Sequence, residues 1–308
     1  MKTVAFAYHN IGIVGLDALK RQHFDIEAVF SHQDNPQENV WFESVVEWAK
    51  RHEIAVFCPE NVNTPHWVSR IREMRPEMLF SFYYRSLLGK EILTIPPLGA
   101  YNLHGSLLPA YRGRSPVNWV LVNGERLTGV TLHHMVEKAD AGDIVGQEEV
   151  RIEFEDTALT LYGKVCGKAK ELLDESLPLL KEGIAPRRAQ DSRRASYFGG
   201  RKPQDGRIDW HWPVVQIYNL IRAVTEPYPG AFTFLSEGKM LLIWWACPEE
   251  GVSSDIAVGT VEVVEGDRVY VRASDGRLRL VDIEVGKERM GEKRILEYFK
   301  NRKGTVLI

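Results

Sequence analysis

The segment Tyr101-Asn102-Leu103-His104-Gly105-Ser106-Leu107-Leu108-Pro109, followed by Tyr111-Arg112-Gly113-Arg114, sets a carboxamide and an imidazole two positions apart. Alternate residues of an extended strand share a face, so if Ala100 to His104 ends a strand, Asn102 and His104 point the same way. Gly105 and Pro109 then force a turn. Both polar groups are left at a loop mouth, at the carboxyl edge where α/β sheets bind ligands. A carboxylate follows in Glu137-Lys138-Ala139-Asp140-Ala141-Gly142-Asp143, where Gly142 marks a second loop. Such a trio suits acyl transfer to an amine: a carboxamide N–H meets the oxyanion, an imidazole takes the proton of the attacking nitrogen, and a carboxylate orients the imidazole. Spacing alone serves equally well for His104 as a hydrogen-bonded turn residue, and suits Asp140 better as a loop cap.

Other chemistries lack their residues. The first candidate strand leads into Asn10-Ile11-Gly12-Ile13-Val14-Gly15, without the paired glycines that cradle a dinucleotide, and no Walker loop, HExxH or GxSxG is present. His133 and His134 are adjacent, so on a strand they face opposite ways and cannot chelate one ion. Cys58, Cys166 and Cys247 are far apart and form no CxxC pair, which argues against a disulfide framework or a zinc site and for a reducing, cytoplasmic setting. We expect no metal. Thirty-nine Lys and Arg against 42 Asp and Glu give a net charge of -3, which offers no global attraction to nucleic acid or anionic lipid. The N-terminus lacks a signal-peptide apolar region, and no run approaches the roughly 18 to 20 apolar residues needed to span a bilayer, so no membrane insertion is expected.

The 308 residues, 44% hydrophobic and 26% charged, are ordinary globular composition and long enough for two domains. Thr3 to Tyr8 reads as a strand, Gly12 and Gly15 as punctuation, and Leu16 to Arg21 as the start of a helix. Ile26 to Phe30, Ile54 to Phe57 and Met78 to Phe82 read as further strands. Ser44 to His52 is helical, and a helix opened by Thr64 and Pro65 runs toward Met74. Alternation of this kind implies βαβ units and a parallel sheet covered on both faces, an α/β half. A long helix is expected from Ala158 to Lys181, ending at Gly183, then an Arg- and Gly-rich linker from Pro186 to Gly206, then a helix from Val214 to Val224. Beyond it the runs Ala231–Leu235, Met240–Ala246, Val258–Val264, Arg268–Ala273 and Leu278–Ile283 are separated by turn signals at Glu237-Gly238, Glu265-Gly266-Asp267 and Asp275-Gly276, which predicts a small antiparallel barrel. The expected division is 1–203 and 204–308. No internal repeat or low-complexity tract is present.

Asn-x-His followed by Ser-Leu-Leu-Pro and Arg-Gly, with Asp-Ala-Gly-Asp downstream, resembles the 10-formyltetrahydrofolate-dependent formyltransferase family. The likeness takes in Met1 to Tyr8, Ser31-His32-Gln33-Asp34-Asn35-Pro36, Asn61-Val62-Asn63, Ser81-Phe82-Tyr83-Tyr84-Arg85, Asn118 to Gly124 and Gly129-Val130-Thr131-Leu132-His133, and weakens after Gly230. Within the family it is strongest to the UDP-4-amino-4-deoxy-L-arabinose formyltransferase branch, known as the N-terminal part of a bifunctional polymyxin-resistance protein. The resemblance implies a Rossmann-like formyltransferase domain followed by an OB-like antiparallel β-barrel, with 10-formyltetrahydrofolate as formyl donor and a nucleotide-linked amino sugar as acceptor. It assigns His104 to proton transfer, Asn102 to the oxyanion and Asp140 to the imidazole. Folate contacts fall at Ser86, Leu87, Leu88, Arg114, Val136, Glu137, Lys138, Ala139 and Asp140. The sequence stops at Ile308 without a dehydrogenase region, which widens the expected acceptors to other 4-amino sugars on UDP or dTDP. A homo-oligomer is compatible with it.

Rival readings keep parts of this picture. Arg187, Arg188, Arg193, Arg194, Arg201 and Lys202 put six cations in a short stretch, suited to a diphosphate, to the acceptor stem of a tRNA, or simply to solvent. The tRNA reading, a methionyl-tRNA formyltransferase, keeps the same trio but asks for an extended basic face. A folate- or nucleotide-binding module without catalysis is the rival from another class. Trp210, Trp212, Tyr228, Trp244 and Trp245 read better as core than as a base-stacking platform. Leu87 and Leu88 offer either a flat wall for a pterin or the buried face of a helix. Glu148, Glu149, Glu153, Glu155 and Asp156 read as a solvated face.

Overall fold

The computed structural model describes residues 1–34, 39–252, 255–264, 268–302 and 304–308. The chain divides into two compact units, one formed by Met1–Pro116, Leu127–Ile152 and Tyr162–Gly199, the other by Val117–Arg126, Glu153–Leu161 and Gly200–Ile308.

The first unit is built on a seven-stranded sheet. Its strands are β1 (Lys2–Ala7), β2 (Asp25–Phe30), β3 (Val56–Phe57), β4 (Met78–Phe82), β5 (Ala100–His104), β7 (Leu127–His134) and β8 (Ile144–Arg151), in the order β3-β2-β1-β4-β5-β7-β8. A separate two-stranded pair joins β6 (Arg112–Gly113) to β9 (Tyr197–Phe198). From β3 to β5 the neighbours are parallel, and β7 and β8 add antiparallel strands at one side. β4 is buried at every position, which fits its run Met-Leu-Phe-Ser-Phe, apolar except at Ser81. The chain moves outward from β1 to β3 and returns on the other side at β4, so the order reverses between β1 and β4, where α/β sheets form a crevice.

The helices here are α1 (His9–Arg21), α2 (Val45–Arg51), α3 (Pro65–Met74) and α4 (Lys90–Leu93); α5 (Pro116–Val122) and the long α6 (Ala158–Glu182) follow in the chain. Ser44 caps α2 by accepting the Glu47 N–H, and Pro65 opens α3. α1 starts at His9, seven residues before the expected Leu16. Its two glycines are packing positions rather than punctuation. A Cβ at Gly15 would overlap the Phe82 ring and one at Gly12 would crowd Ala7 and Val45, so both let the helix lie close on the sheet.

The expected linker is also structured in its first part. Arg188 pairs with Ile144 beside β8, and Tyr197–Phe198 forms β9. Backbone hydrogen bonds thus bind this stretch into the first unit as far as Gly199.

The second unit carries α7 (Val214–Val224), then β10 (Ala231–Phe234), β11 (Met240–Glu250), β12 (Val261–Val264), β13 (Arg268–Arg272), β14 (Gly276–Val285), β15 (Glu288–Gly291) and α8 (Glu292–Lys300). These strands form one antiparallel sheet in the order β10-β11-β14-β13-β12, with β15 on β14. The tail hydrogen-bonds at both ends of that path: Ile308 exchanges two bonds with Phe234 of β10, and Gly304 donates to Val261 of β12. Of the expected turns, Glu237-Gly238 lies between strands and Asp275 just before β14, which Gly276 opens, while Glu265-Gly266-Asp267 lies outside the described residues. β15 and α8 carried no strong sequence signal. The Trp210 indole is 3% exposed and donates to Thr233; that of Trp244 donates to Glu284. Both rings are part of this unit's internal packing.

Candidate active site

Asn102 stands opposite His133, and His104 opposite Thr131, in the β5–β7 ladder. The period of two places all four side chains on one face. That face continues the apolar cluster of Val4, Phe6, Phe30, Leu79, Ile92 and Ala100. The polar groups therefore sit on the rigid continuation of the core, with His104 6% and His133 2% exposed.

Asp140 reaches them from the 135–143 loop. Its backbone has φ of +53°, the left-handed region that Asp and Asn tolerate better than most residues. One carboxylate oxygen, Oδ1, lies 3.6 Å from His104 Nδ1, 3.5 Å from His133 Nε2 and 3.3 Å from Asn102 Nδ2. The other accepts the Gly113 N–H at 2.9 Å. The structure thus brings Asn102, His104 and Asp140 together, although the last is separated from the others by all of β7. Burial pushes the Asp140 carboxyl up, but the neighbouring His104 and the Gly113 N–H outweigh it and hold the group well below the usual carboxylate range. His104 Nε2 lies 2.8 Å from the Tyr111 carbonyl. Its two nitrogens therefore face two acceptors, the Asp140 carboxylate and the Tyr111 carbonyl.

Residues that local pattern did not single out support this arrangement. The Gln190 amide donates to the carbonyls of Asp140 at 2.9 Å and Gly142 at 2.6 Å. Gln190 Oε1 in turn accepts from Arg112 at 3.1 and 2.6 Å, and Arg112, 3% exposed, also donates to the Tyr197 hydroxyl. His133 carries no role in the sequence reading beyond the family likeness, because its place opposite Asn102 is set by the β5–β7 register, which no local pattern encodes. His134 does take the other face, its ring 4.7 Å from that of Tyr101. Among the described residues, no group of three His, Cys, Asp or Glu side chains is arranged to hold a metal ion, and no helix is long and apolar enough to cross a membrane.

The expected folate residues fall on neighbouring loops. Ser86, Leu87 and Leu88 lie between β4 and α4, outside any helix. Leu87 is 70% exposed whereas Leu88 is 6% exposed and packed in the core. They therefore form neither one flat wall nor one helix face, and only Leu87 is open to a ligand. Val136, also exposed, presents a second apolar side chain. Lys90 pairs with Glu137 at 2.9 Å, and Arg114 donates to the Arg85 carbonyl at 3.3 Å, so these loops are tied to one another. Lys138 lies 5.1 Å from the centre of the Tyr197 ring, and Ala139 precedes Asp140 in the turn.

Two further features belong to this unit. At the crevice between β1 and β4, the His9 ring lies 4.4 Å from Trp41, 4.0 Å from Phe42 and 4.8 Å from Tyr162, centre to centre. The Tyr162 hydroxyl lies 2.6 Å from His9 Nδ1 and accepts the Ile11 N–H at 3.0 Å. Burial, helped by the Arg85 charge, pushes His9 down to about 3. A cleft of about 640 Å³ lies between the 107–110 loop, β8 and residues 188–194. The cations of that segment largely have partners: Arg187 pairs with Asp143, Arg188 with Gln147 and Arg193 with Asp191.

Comparison with known proteins places this geometry. A family model described as formyl transferase matches residues 2–177, and one described as formyl transferase, C-terminal domain, matches residues 201–300. Among solved structures, an N-formyltransferase from Helicobacter canadensis in complex with folinic acid and dTDP-3-aminofucose is 20% identical, with a TM-score of 0.68 over 91% of this chain and 98% of that one. WlaRD, a sugar 3N-formyl transferase solved in the presence of dTDP and 5-N-formyl-THF, is 18% identical, with a TM-score of 0.68 over 94% and 98%. HypX from Aquifex aeolicus in complex with tetrahydrofolic acid is 19% identical, with a TM-score of 0.63 over 99% of this chain and 48% of that one. At these identities the likeness is one of fold. The two family models together cover most of the length, and on that ground the chain belongs to the formyl transferase family and is a formyltransferase.

Proposed function

We propose that the chain transfers the formyl group of 10-formyltetrahydrofolate to the amino group of a nucleotide-linked amino sugar. The convergence of Asn102, His104 and Asp140 around one carboxylate oxygen carries this reading. His104 takes a proton from the attacking amine. Asn102 donates an N–H to the oxygen of the attacked carbonyl as it gains charge, and Asp140 steadies the imidazolium that results. A bond forms between the sugar nitrogen and the formyl carbon, the bond from that carbon to the folate N10 breaks, and the proton held by His104 ends on N10. The products are an N-formyl sugar nucleotide and tetrahydrofolate.

For the donor, exposed Leu87 and Val136 on tied loops fit a flat heteroaromatic ring. Ser86, Arg114 and the backbone from Glu137 to Ala139 supply polar contacts, and Leu88 supports them from the core. For the acceptor, the His9–Trp41–Phe42 crevice offers aromatic surface at the strand reversal. Residues 1–203 would then carry the chemistry and 204–308 a smaller, OB-like domain. The reading as a sugar enzyme draws on the fold shared with sugar N-formyltransferases. It also draws on the net charge of -3, which supplies no extended basic face for a tRNA. UDP-4-amino-4-deoxy-L-arabinose is the first acceptor to test.

Mixing the chain with 10-formyltetrahydrofolate and UDP- or dTDP-linked amino sugars, with methionyl-tRNA in parallel, and following tetrahydrofolate release tests the reading. Turnover with an amino-sugar nucleotide supports it. Turnover with the tRNA alone would move the acceptor class, and binding without turnover on any amine would leave a passive module.

A further inference from the structure

We propose that His133 is a positioning residue that fixes which end of the Asn102 carboxamide faces His104 and Asp140. The inference rests on the formyl-transfer reading and extends it to a residue that touches no substrate in that scheme. His133 Nδ1 lies 2.7 Å from the His134 carbonyl, so this nitrogen carries a hydrogen and donates it. His133 Nε2 lies 3.1 Å from Asn102 Nδ2. Were Nε2 protonated as well, two N–H groups would face each other at that distance. Turning the carboxamide over to relieve this would set its oxygen against Asp140 Oδ1 at the 3.3 Å now held by Nδ2. The neutral ring, hydrogen on Nδ1, leaves one unfavourable approach, the Nε2 lone pair toward Asp140 Oδ1, and at the longer separation of 3.5 Å. His133 then accepts an Asn102 N–H, while His104, Gly113 and the same amide hold the Asp140 charge.

Orientation matters because Nδ2 has two hydrogens: with one held by His133, the other, which reaches Asp140 at the longer distance, is the one that can turn to an oxygen gaining negative charge beside His104, where a carbonyl lone pair would repel it. Asp140 favours the same amide orientation, but its charge is shared with His104 and its contact with Nδ2 is longer. His133 is 2% exposed, so water cannot readily replace its acceptor.

The test uses the full chain with 10-formyltetrahydrofolate and the amine it turns over. His133→Phe keeps a ring and removes both hydrogen bonds; His133→Gln retains an acceptor near Nε2; His133→Asn retains only a donor near Nδ1. The expected result is a kcat lowered about 10- to 100-fold in H133F. Both KM values should stay within about twofold and the pH–rate profile should not move. H133Q should recover to within about threefold of the parent while H133N does not. A kcat for H133F within threefold of the parent, a loss confined to KM, a displaced pH profile, or equal rates for H133Q and H133N would each overturn the role. If H133F does not fold, the Gln–Asn comparison decides alone. If the parent turns over no amine, the formyl-transfer reading has failed instead. Nitrogen-15 NMR of the His133 ring then still reports on the inference: a neutral ring with hydrogen on Nδ1 near about pH 7.5 supports it, and a doubly protonated ring overturns it.

Discussion

The Gln190 side-chain amide donates to the backbone carbonyl of Asp140 at 2.9 Å, across a separation of fifty residues. Since Asp140 must arrive from a loop at a face made by strands, its placement depends on what holds that loop. Gln190→Ala removes this bond and its companion to Gly142, and also leaves the buried Arg112 short of an acceptor. We expect formyl transfer to fall about tenfold, with a loss of stability of about 1 to 3 kcal/mol. Steady-state rates and urea unfolding measure the two effects. Unchanged rates would mean that the Gly113 contact suffices.

His104→Ala should lower turnover by about 10² to 10⁴ while leaving donor affinity near that of the parent. Asn102→Ala should cost about 2.7 to 4 kcal/mol of barrier. Groups acting on one step are not additive, so the double variant should be little slower than H104A alone. Single-turnover rates and fluorescence titration of the folate check this; parent-like turnover in H104A would remove His104 from the mechanism.

Asp140→Asn should depress the rate about 100-fold and reshape its pH profile. The carboxyl is held below its unfolded value, so its contribution to stability is complete above about pH 4 and is lost as pH falls through the depressed folded value. The stability gap between parent and D140N should therefore be constant near neutrality and close only in strong acid. Thermal unfolding between about pH 7 and 3 reads it directly. A gap that closes already near neutral pH would contradict the assignment.

His9 gives a different acid response. Its folded value, about 3, lies below the ordinary 6.5, so the neutral buried ring contributes stability in full above about pH 6.5 and loses it progressively below, at a limit of roughly 1.4 kcal/mol per pH unit. His9→Asn, which suits the left-handed backbone at φ of +67°, should flatten that limb. Identical acid limbs in parent and variant would show that His9 remains accessible to protons.

The β5 pair was legible because alternation on a strand is a local rule, and Asn102 and His104 obey it. The approach of Asp140 is set by Gly113 and Gln190, contacts that no local periodicity encodes; there the resemblance supplied what spacing left open. The start of α1 was misplaced because a glycine in sequence signals a turn, whereas Gly15 makes room for the Phe82 ring. Leu87 and Leu88, adjacent and chemically alike, differ because one belongs to the core face and the other does not. The strength of an apolar run does not show which of its members the core takes.

The left-handed turn at residue 140 shapes how this enzyme could decay. Most side chains there would strain the backbone by about 1 to 2 kcal/mol, and asparagine and glycine are the inexpensive neighbours of aspartate. A lineage released from selection on catalysis would accumulate those two replacements first. Asparagine at 140 in an otherwise intact relative would then mark a silent descendant with its architecture preserved.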